Sequence, residues 1–174
     1  MTHKFNINQV RDYIDKSSST SKVYIGCDSV TRKVANKYVV DFVIAIVVHI
    51  DGHRGCKIFG SRVTEVEHAY NKKKPLYRLM REVHKVAEMY MELFDVIGDR
   101  EVEVHLDINP SEKHVSNLVV QQAVGYIRGA CNVEPKIKPN APAASYAADR
   151  LLRRGTYATP SNPFGNDEKQ VRSA

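Results

Sequence analysis

The spacing of apolar residues changes twice along this chain, and each change predicts a different element. In "NINQVRDYIDK" Val10, Tyr13 and Ile14 recur at helical spacing, with Asn6 or Asn8 able to cap. After the polar linker "SSSTS", "KVYIGCDS" reads as a first strand with Val23 and Ile25 on its buried side, followed by "TRKVANK" as a basic turn. "YVVDFVIAIVVHI" is long, β-branched and nearly free of charge, which predicts a central strand. "DGHRG" then makes a tight turn into "CKIFGSRVTEV", so the first three strands form an antiparallel meander.

At Pro75 the period becomes helical. Leu76, Leu79, Met80, Val83, Val86, Ala87, Tyr90, Leu93 and Phe94 share one stripe, Pro75 suits a first helical turn, and Gly98 lies just past the end. "EVEVHLDI" alternates strictly, with Val102, Val104, Leu106 and Ile108 on one face and Glu101, Glu103, His105 and Asp107 on the other. "HVSNLVVQQAVGYIRGA" predicts a second long helix, "EPKIKP" a short edge-like strand and "APAASYAADRLLRR" a last helix. The order β-β-β-α-β-α-β-α gives an α/β fold, a mixed sheet with helices on its faces. Residues 1–20 read as an N-terminal helix and linker, 21–154 as the domain, and 155–174, polar and aperiodic, as a flexible tail.

The chain has 174 residues, 43% of them hydrophobic, enough for one domain with a real core. Its formal net charge of +6 favours a polyanionic partner. Cys27, Cys56 and Cys131 are odd in number and widely spaced, which suggests neither a disulfide framework nor a zinc ribbon. "MTHKFNINQV" lacks the apolar run of a signal peptide, and no apolar stretch reaches membrane-spanning length. The expectation is a cytoplasmic protein with no membrane partner.

Candidate chemistry lies in the acids. A carboxylate inside an apolar strand is costly unless something cationic meets it. Here Asp28 follows the first strand and Asp107 the fourth. If those strands are neighbours, the two carboxylates converge. Asp149 sits in a helix whose Ala143, Ala144, Ala147 and Ala148 allow close approach to a sheet, and Glu82 borders the apolar stripe of the long helix. Acids gathered without bases raise one another's pKa values. Divalent metal removes that penalty: Mg²⁺ takes hard oxygen ligands at about 2.0–2.1 Å, and two ions can clamp a phosphodiester.

These residues resemble a known family. "IGCDS" on the first strand, "VHLDI" on the fourth and a C-terminal helix bearing an Asp look like the ribonuclease H-like superfamily. More narrowly, "YIGCDS", "EVHLDIN" and above all "KIKPNAPAASYAADR" are similar to the YkuK-type proteins of bacteria and phages, over about residues 21 to 153. The resemblance implies an RNase H-like five-stranded sheet of order 3-2-1-4-5, strand 2 antiparallel, with helices on both faces. It also implies a metal-dependent nuclease site using Mg²⁺ or Mn²⁺. Asp28 matches the first-strand acid, Asp107 the fourth-strand acid, and Asp149 the acid of the C-terminal helix, although in mid-helix rather than in the first turn. Glu82 matches the acid of the first long helix, with Glu88, Glu65 and Glu67 as alternatives.

Each reading has a plainer rival. Asp28 could open a turn, Glu82 could be one of many solvated helix acids, and Asp149 could pair with Arg150 or Arg153. Matching strand-end positions favour a ligand role for Asp28 with Asp107. His105 is expected to be a packed, hydrogen-bonded histidine, and Cys27 a small buried thiol. His49 and His53 flank a turn and make a poor zinc signal. Arg32 and Lys33, then Lys72, Lys73 and Lys74, then Lys136 and Lys138, and finally Arg150 flank the expected carboxylate edge and could follow a phosphate backbone. The expected function is metal-dependent phosphodiester hydrolysis of RNA, DNA or hybrid. The alternative is a non-catalytic nucleic-acid-binding or adaptor module on the same fold.

Overall fold

The protein is described by a computed structural model covering residues 5–67, 76–110, 119–148 and 150–151. Its sheet has the order β3-β2-β1-β4-β5. β1 (Lys22–Val34) pairs antiparallel with β2 (Lys37–His49), which pairs antiparallel with β3 (Cys56–Glu67). On its other side β1 pairs parallel with β4 (Val102–Leu106), and β4 with β5 (Lys136–Ile137). The expected order and directions hold, because a tight turn permits only antiparallel neighbours and a helical crossover permits parallel ones.

β1 does not stop at Ser29. The segment expected as a basic turn continues the strand to Val34, and the turn is only Ala35 and Asn36. Thr31 and Val34 are β-branched, and the whole segment finds a partner in β2, with Val34 opposite Lys37. β5 is two residues long, shorter than expected. Pro135 and Pro139 flank it, and a proline cannot donate to a ladder.

One face of the sheet carries α1 (Ile7–Lys16), α2 (Leu76–Ile97) and α3 (Val120–Cys131). The core there joins Val23, Ile25 and Cys27 of β1 and Phe42, Ile44 and Ile46 of β2 to Val83, Val86, Ala87 and Leu93 of α2. α1 begins at the Asn6 cap, whose side chain accepts the Asn8 N–H at 3.0 Å, and its Val10 and Ile14 are fully buried in this same core. Arg100 ties the carboxyl ends of α1 and α2 together by donating to the carbonyls of Ser17 and Val96.

The opposite face is covered by the C-terminal helix, α4 (Ala143–Ala148), a wide π-type segment. Across β3, β2, β1 and β4 one register row reads Gly60, Ala45, Gly26 and His105. Three of these four residues are small, so the sheet has a shallow trough there. Ala147 and Ala148 pack with Val43 and Ala45, flanked by Val47, Ile58 and Leu151. A Cβ on Gly60 would stand 2.4 Å from Leu151 Cδ1, so the Leu151 side chain beyond α4 packs against the sheet where glycine leaves room.

Candidate active site

Asp28 and Asp107 occupy equivalent places. The parallel pairing of β1 with β4 runs from Val23–Val102 to Cys27–Leu106 and stops there. Each acid is the next residue. β1 continues with β2 alone, so its β4 side opens where the two carboxylates stand. Asp28 accepts the backbone N–H of Ser29 at 2.7 Å. Asp107 is held by Lys138, whose Nζ lies 2.8 Å from Oδ1. Lys138 reaches it because its own N–H donates to Ile108 O at 3.1 Å, fixing its backbone beside the end of β4.

Glu82 of α2 reaches Ser29, the residue that follows Asp28, and is 4% exposed. The Ser29 hydroxyl donates to Glu82 Oε1 at 2.5 Å, and Arg78 Nη1 donates to the same oxygen at 2.9 Å. Arg78 also donates to Ser29 O at 3.1 Å. Burial pushes the Glu82 carboxyl up to about 8; Arg78 and Ser29 oppose the rise, while the charges of Asp28 and Asp107 add to it. The charges of Asp28 and Asp107 thus both reach Glu82. The other acids weighed for this role are engaged elsewhere or face solvent. Glu65 and Glu67 pair with Arg81, Glu65 also with Lys85, and Glu88 is exposed.

Asp149 falls outside the described residues, as do Lys72, Lys73 and Lys74. Among the described residues no three His, Cys, Asp or Glu side chains stand in metal-ligating geometry. Arg32 donates through Nε to Asp41 Oδ2 at 2.6 Å, so it is tied to a fully buried carboxylate that also accepts from Arg62 and Thr64. Lys33, Lys136 and Arg150 are exposed.

His105 is fully buried and stacks on Tyr24, ring centroids 5.4 Å apart. The Ala143 N–H donates to its Nδ1 at 3.0 Å, so the proton sits on Nε2 and goes to Glu103 Oε2 at 2.9 Å. Burial lowers its pKa against the pull of Glu103, and an Nδ1 that accepts a hydrogen bond belongs to a neutral ring. It is a fastener between β4 and α4. Burial, reinforced by Glu82 and Asp28, raises the Cys27 thiol, which makes it a poor nucleophile.

Sequence reasoning missed two members of this cluster. Arg78 was signalled by its i,i+4 spacing to Glu82, an ordinary helix pair that becomes informative only once the glutamate is buried. Ser29 gave no signal, since its value depends on which side of β1 α2 crosses. The acids were also expected to lack bases, yet Glu82 has Arg78 and Asp107 has Lys138.

No curated protein and no solved structure matches the chain significantly. Residues 6–153 match the family described as Ribonuclease H-like. That span takes in the whole five-stranded sheet, both strand-end aspartates and the helices on either face, and the chain belongs to the Ribonuclease H-like family.

Proposed function

We propose that the protein is a divalent-metal-dependent nuclease whose site is built from Asp28, Asp107, Glu82 and Asp149, with Mg²⁺ or Mn²⁺ as the cofactor. The observation that carries the reading is geometric: Asp28 and Asp107 stand side by side where the β1–β4 ladder ends, and the buried Glu82 is bonded to Ser29, the next residue of β1. Carboxylates kept close against their repulsion fit a site that takes up positive charge, and an all-oxygen donor set suits a hard ion. Such an ion, when bound, offsets charge on a phosphodiester and acidifies water. The chain's own part is positioning. Asp28 and Asp107 offer oxygens where the β1–β4 ladder opens, Ser29 and Arg78 orient Glu82, and the Glu82 carboxyl can hold or release a proton near neutral pH. The net charge of +6 supports a polyanionic substrate, with Lys33, Lys72, Lys73, Lys74, Lys136 and Arg150 as phosphate contacts.

The second reading, a non-catalytic nucleic-acid-binding module, draws on Arg78 and Lys138, which already give two of the acids a cation. Mg²⁺ or Mn²⁺ titration followed by melting temperature, with labelled RNA, DNA and hybrid substrates, separates the two. A nuclease gains stability with metal, cleaves one substrate class, and loses both properties in Asp28→Asn. Nucleic-acid binding with neither metal response nor cleavage leaves the binding module.

A further inference from the structure

Lys138 lies on the carboxylate that a metal would need. Its ammonium is 2.8 Å from Asp107 Oδ1, and the side chain is 39% exposed. Arg78, a second cation here, is placed differently. Arg78 reaches Glu82 from one turn earlier on the same helix and is also bonded to Ser29 O, so it is locked in the wall of the site. Lys138 is anchored at its backbone by the bond to Ile108 O, and beyond that it is a flexible, partly exposed stem.

An ammonium and a divalent ion on one carboxylate repel at short range. We propose that Lys138 is a displaceable counter-ion, which neutralises Asp107 while the metal is away and competes with it for that carboxylate. Lys138 thereby sets how much free metal the site requires. This rests on the metal-dependent reading above. It also explains how Asp107 is tolerated in the folded chain before any ion arrives: its charge is met from just past β5, by a side chain that can swing into water.

The test uses the full chain and Mn²⁺ alone, with free Mn²⁺ measured by electron paramagnetic resonance. Lys138→Met should bind Mn²⁺ more tightly than wild type by up to about fivefold, the scale of one partly exposed ion pair. Lys138→Arg, which keeps the competing charge, should stay near wild type. A purely structural lysine would behave oppositely, since loosening the end of β4 spreads the acids and weakens binding. Equal or weaker Mn²⁺ affinity in Lys138→Met overturns the competition and leaves the metal site standing. Failure of all three proteins to bind Mn²⁺ removes the metal reading itself and this inference with it. Melting in chelator verifies folding, and Lys138→Gln replaces the Met variant should that one not fold.

Discussion

Ser29 Oγ and Glu82 Oε1 are 2.5 Å apart, a bond between the middle of β1 and the second turn of α2. It crosses from sheet to helix at the point where β1 loses its β4 neighbour. The glutamate is thereby bonded to the residue that follows Asp28, and the charges of both strand-end aspartates reach it.

The pH dependence of stability should carry the Glu82 signature. Its folded pKa of about 8 lies above the ordinary value of 4.5. Between these values the folded state holds a proton that the unfolded state has lost, so stability is full below the lower value and falls as pH rises through the upper one. The loss is on the order of a few kcal/mol. Glu82→Gln, neutral at every pH, should flatten this part of the profile in urea denaturation with chelator present. Parallel profiles for the two proteins would mean the carboxyl is not perturbed.

Asp107→Asn should leave the metal-free fold nearly intact. It removes a charge that raises Glu82 and forfeits a half-exposed pair with Lys138, worth about 0–1 kcal/mol. The expected change in chemical denaturation is therefore under about 1 kcal/mol, with the metal-induced rise in melting temperature lost. A variant destabilised by several kcal/mol would show that Asp107 serves the fold.

Asp41 should behave in the opposite way. It is fully buried, and although burial alone would raise its pKa, bonds from Arg32, Arg62 and Thr64 hold the carboxyl well below the ordinary range. Its contribution is present above the ordinary aspartate pKa and is lost as pH falls through the depressed one. Asp41→Asn should cost roughly 2–3 kcal/mol near neutral pH, less than a wholly buried pair because both arginines are partly exposed. A neutral effect would refute a structural role for the Arg32–Asp41 pair.

Gly60→Ala tests the packing of Leu151 on the sheet. The new methyl would overlap Leu151, and the expected cost is about 1–3 kcal/mol. Leu151→Ala in the same chain should recover part of it, giving a favourable coupling in a double-mutant cycle. Strict additivity would place Leu151 away from Gly60.

Replacing Lys72, Lys73 and Lys74 together with Ala should weaken nucleic-acid binding and flatten its dependence on salt. Each lost phosphate contact removes about 0.7–0.9 from the log–log slope. Binding isotherms across a salt series measure it, and an unchanged slope would move the phosphate track elsewhere on the surface.

Period and punctuation determined the elements and their order. Three β-branched runs with tight turns allow only a meander, and the strict alternation in "EVEVHLDI" put Asp107 at the polar end of the fourth strand before any neighbour was known. Asp28 and Asp107 were legible for the same reason, as carboxylates where an apolar pattern ends. What the pattern did not reveal was why it ends there. β1 runs on past Asp28 to Val34, and only the pairing with β4 stops, a long-range fact that local periodicity does not encode. The partners of the acids were equally hidden. Ser29, Arg78 and Lys138 lie 53, 4 and 31 residues from the carboxylates they bind, by sequence numbering. Tertiary structure alone decides which cation meets which acid, because a side-chain contact depends on how helix and strand cross, and the chain pays the entropy of that crossing only when the core closes.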